Sequence, residues 1–465
     1  MYKRFISNIA GYGLFAMLNH VGGIFLLPYY WSVFGLEQFY IIGLFQLTYY
    51  FLLPLMAFGL NTALERFYYA WEEQNKNQKI FGLFTAQITF STLLFLCVLL
   101  IANLGFGVEW HFHSTIFMAC IYAYLMSTQY IPMAFMRVTG KVVTFGLLSN
   151  ASFLSISVST ILFINLFDKQ IQGFVIGQVV GASIIAIIWI LFMIIRSTSG
   201  ISLQLKDEFL FAWSIPPMTL IQKMSEFGDR LFAERLLSNM SFGTYTVAAQ
   251  IGSYFNTTNS TLKMAFFPII YQNLVYKKET PESINPIIIL YCFVVCLVGS
   301  VSTVIAEGAM MFFGGDKYMA AIPFIKYFIL VAVISAFGVA LGVGLEIKKR
   351  VHLGAFALIP SILVTISLSY CLMPKIGIFG GVFAVLAGTL TKSSIRIWLA
   401  NRAMPRKFPK LSIALLVLTY FGLLTVFETF PAGDIPSLVK ELSIAFFVYA
   451  LLGFVLSKIN NENKI

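Results

Sequence analysis

Apolar runs long enough to cross a bilayer recur from one end of the chain to the other, separated by short polar breaks. A spanning helix needs roughly 20 mostly apolar residues. Runs of that kind fall at 8–30, 39–60, 80–102, 113–134, 142–166, 171–195, 211–237, 243–272, 286–306, 322–346, 351–373, 377–399, 411–429 and 441–458. They predict fourteen transmembrane helices in an all-α polytopic membrane protein. The seventh run is the least apolar and the eighth is long and polar, so twelve and thirteen are the alternative counts. The longest external stretch is 307–321, and the internal stretches 61–79 and 196–210 are also short. None is long enough to fold as a domain, so any function sits in the helical bundle or at its mouths.

Loop charges give the runs an orientation, because cytoplasmic loops carry excess Lys and Arg. With Lys3 and Arg4 placed inside, alternation puts 20 Lys and Arg on the inner side and only Lys169, Lys317, Lys375 and Lys440 outside. No inversion appears along the chain, as a miscounted helix would cause. Fourteen spans with both termini cytoplasmic is the expected topology. A six-plus-six arrangement with two extra helices follows: a first lobe over 1–200, a second over 201–400, and two further spans with a cytoplasmic tail over 401–465. Internal likeness between the lobes is weak. It amounts to Pro54 against Pro268, and Phe34-Gly35 with Tyr40 against Phe242-Gly243 with Tyr245.

Composition agrees with this picture. Of the 465 residues 59% are hydrophobic and 11% charged, with mean hydropathy +0.85, whereas soluble domains carry about 25% charged residues. The net charge of +11 does not indicate nucleic-acid binding, since the basic residues fall between apolar runs and not in one compact patch. The five cysteines (Cys97, Cys120, Cys292, Cys296, Cys371) lie within apolar stretches and read as small packing residues. The first run has no small-x-small cleavage site and reads as an uncleaved helix. Pro28, Pro54, Pro132, Pro216, Pro217, Pro268, Pro323 and Pro360 lie in or at the ends of spans. They are either tolerated breaks or kinks that bend during gating.

Ionisable residues inside the spans carry the candidate chemistry, since each costs at least about 2.5–3.5 kcal/mol at mid-bilayer and must face protein or water. Lys223, Glu226, Arg230 and Glu234 recur at three, four and four residues along one face of the seventh run, flanked by Asp229 and Arg235. The stripe is either a self-neutralising ion-pair ladder or the lining of a hydrated path. The latter is favoured because a dry ladder faces the desolvation penalty of buried pairs. Lys263 lies deep in the eighth run, and Lys326 near the outer end of the tenth. Lys392 and Arg396 lie near the inner end of the twelfth, where they can snorkel to the interface. Asn19, His20, Gln46, Asn61, Glu65 and Arg66 are the polar residues of the first two runs. A lone His such as His20 is more often structural than proton-coupling.

Arg230, Lys223, Lys263, Arg66 and Lys326 are thus the candidate substrate-binding residues. Asp229, Glu226, Glu234, Glu65 and His20 are the candidate ion-coupling residues. No catalytic, metal-ligating or nucleotide-binding spacing is present. A secondary transporter is expected, and no cofactor beyond a coupling-ion gradient.

The chain resembles the Wzx-like polysaccharide or O-antigen flippases of the multidrug/oligosaccharidyl-lipid/polysaccharide exporter superfamily. The residues that carry the likeness are Leu-Leu-Pro-Tyr-Tyr at 26–30, Phe-Gly-Leu-Glu-Gln-Phe-Tyr at 34–40 and Phe-Gly-Leu-Asn-Thr-Ala-Leu-Glu-Arg-Phe-Tyr-Tyr at 58–69. In the second half they are Ser-Ile-Pro-Pro at 214–217, Gly-Asp-Arg at 228–230, Phe-Gly-x-Tyr at 242–245, Gly-Gly-Asp-Lys-Tyr-Met-Ala-Ala at 314–321 and Pro-Lys-Ile-Gly-Ile-Phe-Gly-Gly at 374–381. The resemblance implies two lobes around a cationic cavity in the bacterial cytoplasmic membrane. It implies outward movement of an undecaprenyl-pyrophosphate-linked glycan by alternating access, with proton or sodium antiport as the drive. Asp229 and Arg230 match the family's Gly-Asp-Arg. The implied partners are the lipid-linked anionic glycan, membrane lipids and other membrane proteins of polysaccharide assembly, with the chain acting as a monomer and without nucleic acid. The alternatives are a small-molecule efflux antiporter of the same superfamily, and a membrane-embedded glycan polymerase or ligase. Basic spans argue against a cationic cargo, and the lack of a large external loop argues against the enzyme.

Overall fold

A backbone in lipid must satisfy its own hydrogen bonds, which leaves helices as the solution for apolar runs of this length. The computed structural model describes residues 15, 18–19, 22–72, 75–105, 110–196, 205–271, 274, 280–348, 350–429 and 435–462, and its regular elements are helical. Helix α1 is taken over 22–33, followed by α2 (Leu36–Ala57), α3 (Leu60–Phe67), α4 (Lys76–Gly105), α5 (Trp110–Ser127), α6 (Tyr130–Val138), α7 (Val142–Leu166), α8 (Ile171–Arg196) and α9 (Lys206–Ala212). Then come α10 (Ile215–Leu236), α11 (Asn239–Tyr271), α12 (Asn285–Gly314), α13 (Ile322–Leu341), α14 (Gly344–Ile347), α15 (Val351–Phe356), α16 (Leu358–Ile376), α17 (Ile378–Ala403), α18 (Lys410–Thr429) and α19 (Ile435–Glu462).

Among the described residues, ten helices are long and apolar enough to cross a membrane. They correspond to the second, third, fifth, sixth and ninth to fourteenth predicted runs. Of the first run, residues 8–14, 16–17 and 20–21 lie outside the described residues. The fourth run is broken into α5 and α6 at Thr128, whose hydroxyl donates back to the Leu125 carbonyl at 2.7 Å. The seventh and eighth form α10 and α11, both too polar to qualify by hydropathy alone. Two helix ends differ from the predicted runs. Helix α12 continues through the stretch predicted as an external loop to Gly314, and α19 begins at Ile435, six residues before the predicted run.

Most of the prolines begin helices and do not bend them. Pro132, Pro216, Pro217, Pro323 and Pro360 lie in the first turns of α6, α10, α13 and α16, where the missing N–H is one that the helix leaves unused. Pro54 lies inside α2.

The chain packs as two units. One comprises residues 1–26 and 37–227; the other comprises 27–36 and 228–465. The division falls inside α10, and the end of α1 belongs with the second unit. There the Tyr318 hydroxyl donates to the Phe34 carbonyl at 2.8 Å, just beyond the last turn of α1, which accounts for the Gly-Gly-Asp-Lys-Tyr stretch. In the first unit Phe58 and Gly59 adopt positive φ (51° and 72°) and turn the chain from α2 into α3. This buries Leu60, Ala63 and Leu64. The Trp71 indole and Lys79 ammonium both bond the buried Glu208 carboxylate, at 2.7 and 3.1 Å.

Each unit contains a helix pair held by small residues, which replace hydrophobic burial as the driving feature in lipid. Gly173, Gly177 and Gly181 of α8 press on the backbone of α7, where a Cβ at Gly177 would lie 2.5 Å from Thr160 Cα. Gly380 and Gly388 of α17 press on α16 in the same way, and Gly377 (φ 60°) makes the turn between them. A serine hydroxyl bridges each pair: Ser155 to the Gly181 carbonyl at 3.0 Å, and Ser361 to the Gly388 carbonyl at 2.8 Å. This shared device is a clearer internal likeness than the aromatic motifs. The opposite faces stay bare, with Leu154, Val158 and Leu162 of α7 and Ile187, Leu191 and Ile194 of α8 exposed. An apolar surface this continuous is suited to lipid.

Candidate functional site

The stripe on α10 divides. In the first unit Lys223 pairs with Glu226 at 2.9 Å, and Gln222 donates to the same carboxylate at 3.0 Å. Lys223 also lies over the rings of Tyr50 and Phe227, which stack on each other at 4.4 Å. This is the first rung of the expected ladder. In the second unit Asp229 and Arg230 are buried at 5% exposure each. The Tyr245 hydroxyl donates to Asp229 Oδ2 at 2.5 Å, and Arg230 Nη2 donates to Ser253 Oγ at 3.3 Å. Gly-Asp-Arg thus meets Phe-Gly-x-Tyr as one polar joint between α10 and α11. Glu234 is half-buried and Arg235 exposed.

A separate group of cations lies elsewhere in the second unit. Lys263 of α11 is within electrostatic reach of Lys392 and Arg396, four residues apart on α17, and of Glu346 on α14. Arg396 bonds Glu346. Lys263 and Arg396 thus share the Glu346 carboxylate, with Lys392 beside Lys263. Lys263 lies eight residues before the end of α11 and Arg396 seven before the end of α17, or about 10–12 Å along each axis at 1.5 Å per residue. Those are the ends that the loop charges assign to the cytoplasm. Cations held this close repel one another, and an anion of two or more charges relieves that repulsion.

A buried arginine supports the floor of this region. Arg406, in the segment between α17 and α18, donates to the Leu341 carbonyl at 2.9 Å, where α13 ends. Its guanidinium lies over Phe408, and burial lowers its pKa to about 10. At that value it stays charged at neutral pH. Gly342, at the break between α13 and α14, has no room for a Cβ, which would meet the Gly338 carbonyl at 2.5 Å and the Arg396 side chain at 2.8 Å.

The remaining candidates have other surroundings. Arg66 is exposed, with its guanidinium over the Phe211 ring at 4.4 Å. Glu65 pairs with Arg137 at 2.7 Å, both partly exposed. Lys326 is buried and lies near the Glu307 carboxylate, not with the cationic cluster. His20 lies outside the described residues.

The family model described as "Polysaccharide biosynthesis protein" matches residues 5–274, more than half of the chain. The chain belongs to that family. No curated protein matches it in sequence. Among solved structures, the lipid II flippase MurJ in an inward closed conformation is similar with a TM-score of 0.75 at 13% identity, covering 96% of this chain and 98% of that one. An outward-facing multidrug resistance MATE family transporter of the MOP superfamily gives 0.58 at 12% identity, covering 85% and 95%. A MOP superfamily transporter from Pyrococcus furiosus gives 0.56 at 11%, covering 85% and 95%. At these identities the likeness is one of fold. This member of the polysaccharide biosynthesis family is a multi-pass helical membrane protein with a fold like that of MurJ and the MATE proteins.

Within the family fold, the sequence motifs mostly mark tight packing: Phe34, Phe242 and Tyr245 are fully buried, and Gly377 and Gly380 shape a turn. Lys263 stood out in the sequence by its depth. Lys392 and Arg396 did not, because a cation near a helix end looks the same whether it reaches for headgroups or for a neighbouring helix. Only the packing of α17 beside α11 separates the two cases.

Proposed function

We propose that this chain translocates an undecaprenyl-pyrophosphate-linked oligosaccharide from the cytoplasmic to the outer leaflet by alternating access, coupled to a proton or sodium gradient. It acts through fourteen spans in a bacterial cytoplasmic membrane with both termini inside. The observation that carries this reading is the cluster of Lys263, Lys392 and Arg396 beside the carboxylate of Glu346. A pyrophosphate is a dense anion arriving from the cytoplasmic side, and half-buried ammonium and guanidinium groups attract it more strongly than groups in water do. A cationic drug would be repelled by the same charges.

The buried Asp229, beside Arg230, is the coupling carboxylate that this reading favours on α10. Glu65 and Glu226 are more simply explained as paired residues at partly exposed positions. In cells that depend on this chain for a surface glycan, deleting it is expected to empty the surface and leave the lipid-linked glycan on the cytoplasmic face. Loss of the lipid-linked glycan itself, or its accumulation unpolymerised on the outer face, would place the chain among glycan-assembling enzymes instead.

A further inference from the structure

At the opposite end of the second unit, three ionisable side chains from three helices are buried together. Glu307 of α12 is 7% exposed, Lys326 of α13 is 7% exposed and Glu441 of α19 is 1% exposed. Glu307 is within electrostatic reach of both Glu441 and Lys326. The helices are in tight register here. A Cβ on Gly308, next to Glu307, would lie 2.6 Å from Leu438, which is one helical turn before Glu441 on the same face of α19. Neither carboxyl oxygen of Glu441 has a hydrogen-bond partner, although both are buried.

An ionised carboxylate in that position would carry one of the largest penalties in protein chemistry. The remedy is to neutralise it. Fully ionised, the trio carries two negative charges and one positive, so a single added proton makes it neutral. Two carboxyls that share a site cannot both ionise freely, and one of them takes the proton. A metal cation suits the place less well, because it would have to sit beside the Lys326 ammonium.

The surroundings lead inward by hydroxyl groups. Thr303 and Ser300 lie one and two turns below Glu307 on the same face of α12 and are fully buried. The Ser300 hydroxyl is 3.1 Å from the hydroxyl of Tyr449, two turns beyond Glu441 on α19. The buried Tyr420 of α18 lies against Gly299. Of the other ionisable groups on these helix ends and the adjoining turn, Asp316, Lys317 and Lys440 are exposed, and the Tyr318 hydroxyl bonds the Phe34 carbonyl.

We infer that Glu307 and Glu441, with Lys326 beside Glu307, form a binding site for one exchangeable proton at the end of the second unit that the loop charges assign to the outside. The site lies four to seven residues from the ends of α12, α13 and α19, or about 6–10 Å along each helix axis. That depth puts it within reach of the external phase. The inference concerns proton binding and not the cargo, so it stands or falls separately from the glycan reading.

Acid-minus-alkaline infrared difference spectra of the purified full-length chain in lipid nanodiscs test it. The wild type is expected to show a protonated-carboxyl C=O band that is lost or displaced in both Glu441→Gln and Glu307→Gln. In Lys326→Met the band is expected to persist to more alkaline pH, because the ammonium that favours ionisation is gone. Addition of sodium at constant pH should leave it unchanged. A wild-type spectrum with no such band overturns the inference, as does a band identical in wild type and both glutamine variants. A band abolished by sodium would mean a metal-cation site. Should a glutamine variant fail to fold, the wild-type sodium comparison and Lys326→Met still decide.

Discussion

Neutralising Lys263 or Lys392, as Lys263→Gln or Lys392→Gln, is expected to reduce glycolipid translocation while the protein still inserts and folds. Each cation would contribute a charge-assisted contact to the pyrophosphate worth about 1.5–3 kcal/mol. At about 1.4 kcal/mol per factor of ten, each loss corresponds to roughly a ten- to hundredfold fall in transport rate at limiting substrate. The two side chains would act on one anion, so the double variant should fall by less than the product of the single effects. Lys263→Arg keeps the charge and is expected to retain most activity. Arg396 is a poorer probe, because removing it strands the Glu346 carboxylate that it holds and confuses a binding defect with a folding one. Translocation by rate assay, beside yield and monodispersity, separates the outcomes. Unchanged transport in both single variants would make the cluster structural.

The second large effect concerns folding. Gly177→Leu is expected to prevent α7 and α8 from docking, because the new side chain meets backbone and not a movable side chain. Its Cβ alone would lie 2.5 Å from Thr160 Cα and 2.8 Å from the Ser159 carbonyl oxygen. Overpacking of one or two methylenes costs about 1–3 kcal/mol in a dense core, and here Gly173 and Gly181 resist any shift of the helix pair in the same way. The expected result is loss of folded yield or a clear fall in thermal midpoint, with Gly177→Ala smaller in the same direction. Leu191→Ala, on the exposed face of α8, should change little. A Gly177→Leu protein as stable as the wild type would mean that the pair is not closely packed.

How much of this was legible in the sequence depends on which physical quantity each feature reports. Hydropathy measures apolar length. It therefore found the ten long apolar helices, and missed the breaks at Thr128 and Gly342, where the chain stays apolar but the helix does not continue. Charge acted as a boundary marker. That same rule hid Glu307 and Glu441. Glu307 falls just after the ninth predicted run and Glu441 opens the fourteenth, whereas α12 and α19 carry both within packed helix. Periodicity along α10 predicted the Lys223–Glu226 rung, an interaction within one helix. It could not predict that Asp229 would reach Tyr245, because contacts between helices leave no trace in the spacing of either one. Lys263 with Lys392 and Arg396 is the same case.

The central claim is that this chain carries a lipid-linked anionic glycan across the membrane, and reconstitution tests it most directly. The purified protein would be placed in liposomes holding a labelled undecaprenyl-pyrophosphate oligosaccharide, with the label accessible on one leaflet to an impermeant reagent. The account predicts protein-dependent exchange of the label between leaflets, accelerated by a proton or sodium gradient and greatly reduced when Lys263 and Lys392 are both glutamine. No translocation of the cognate glycolipid under any gradient, from protein shown to be folded, would contradict it.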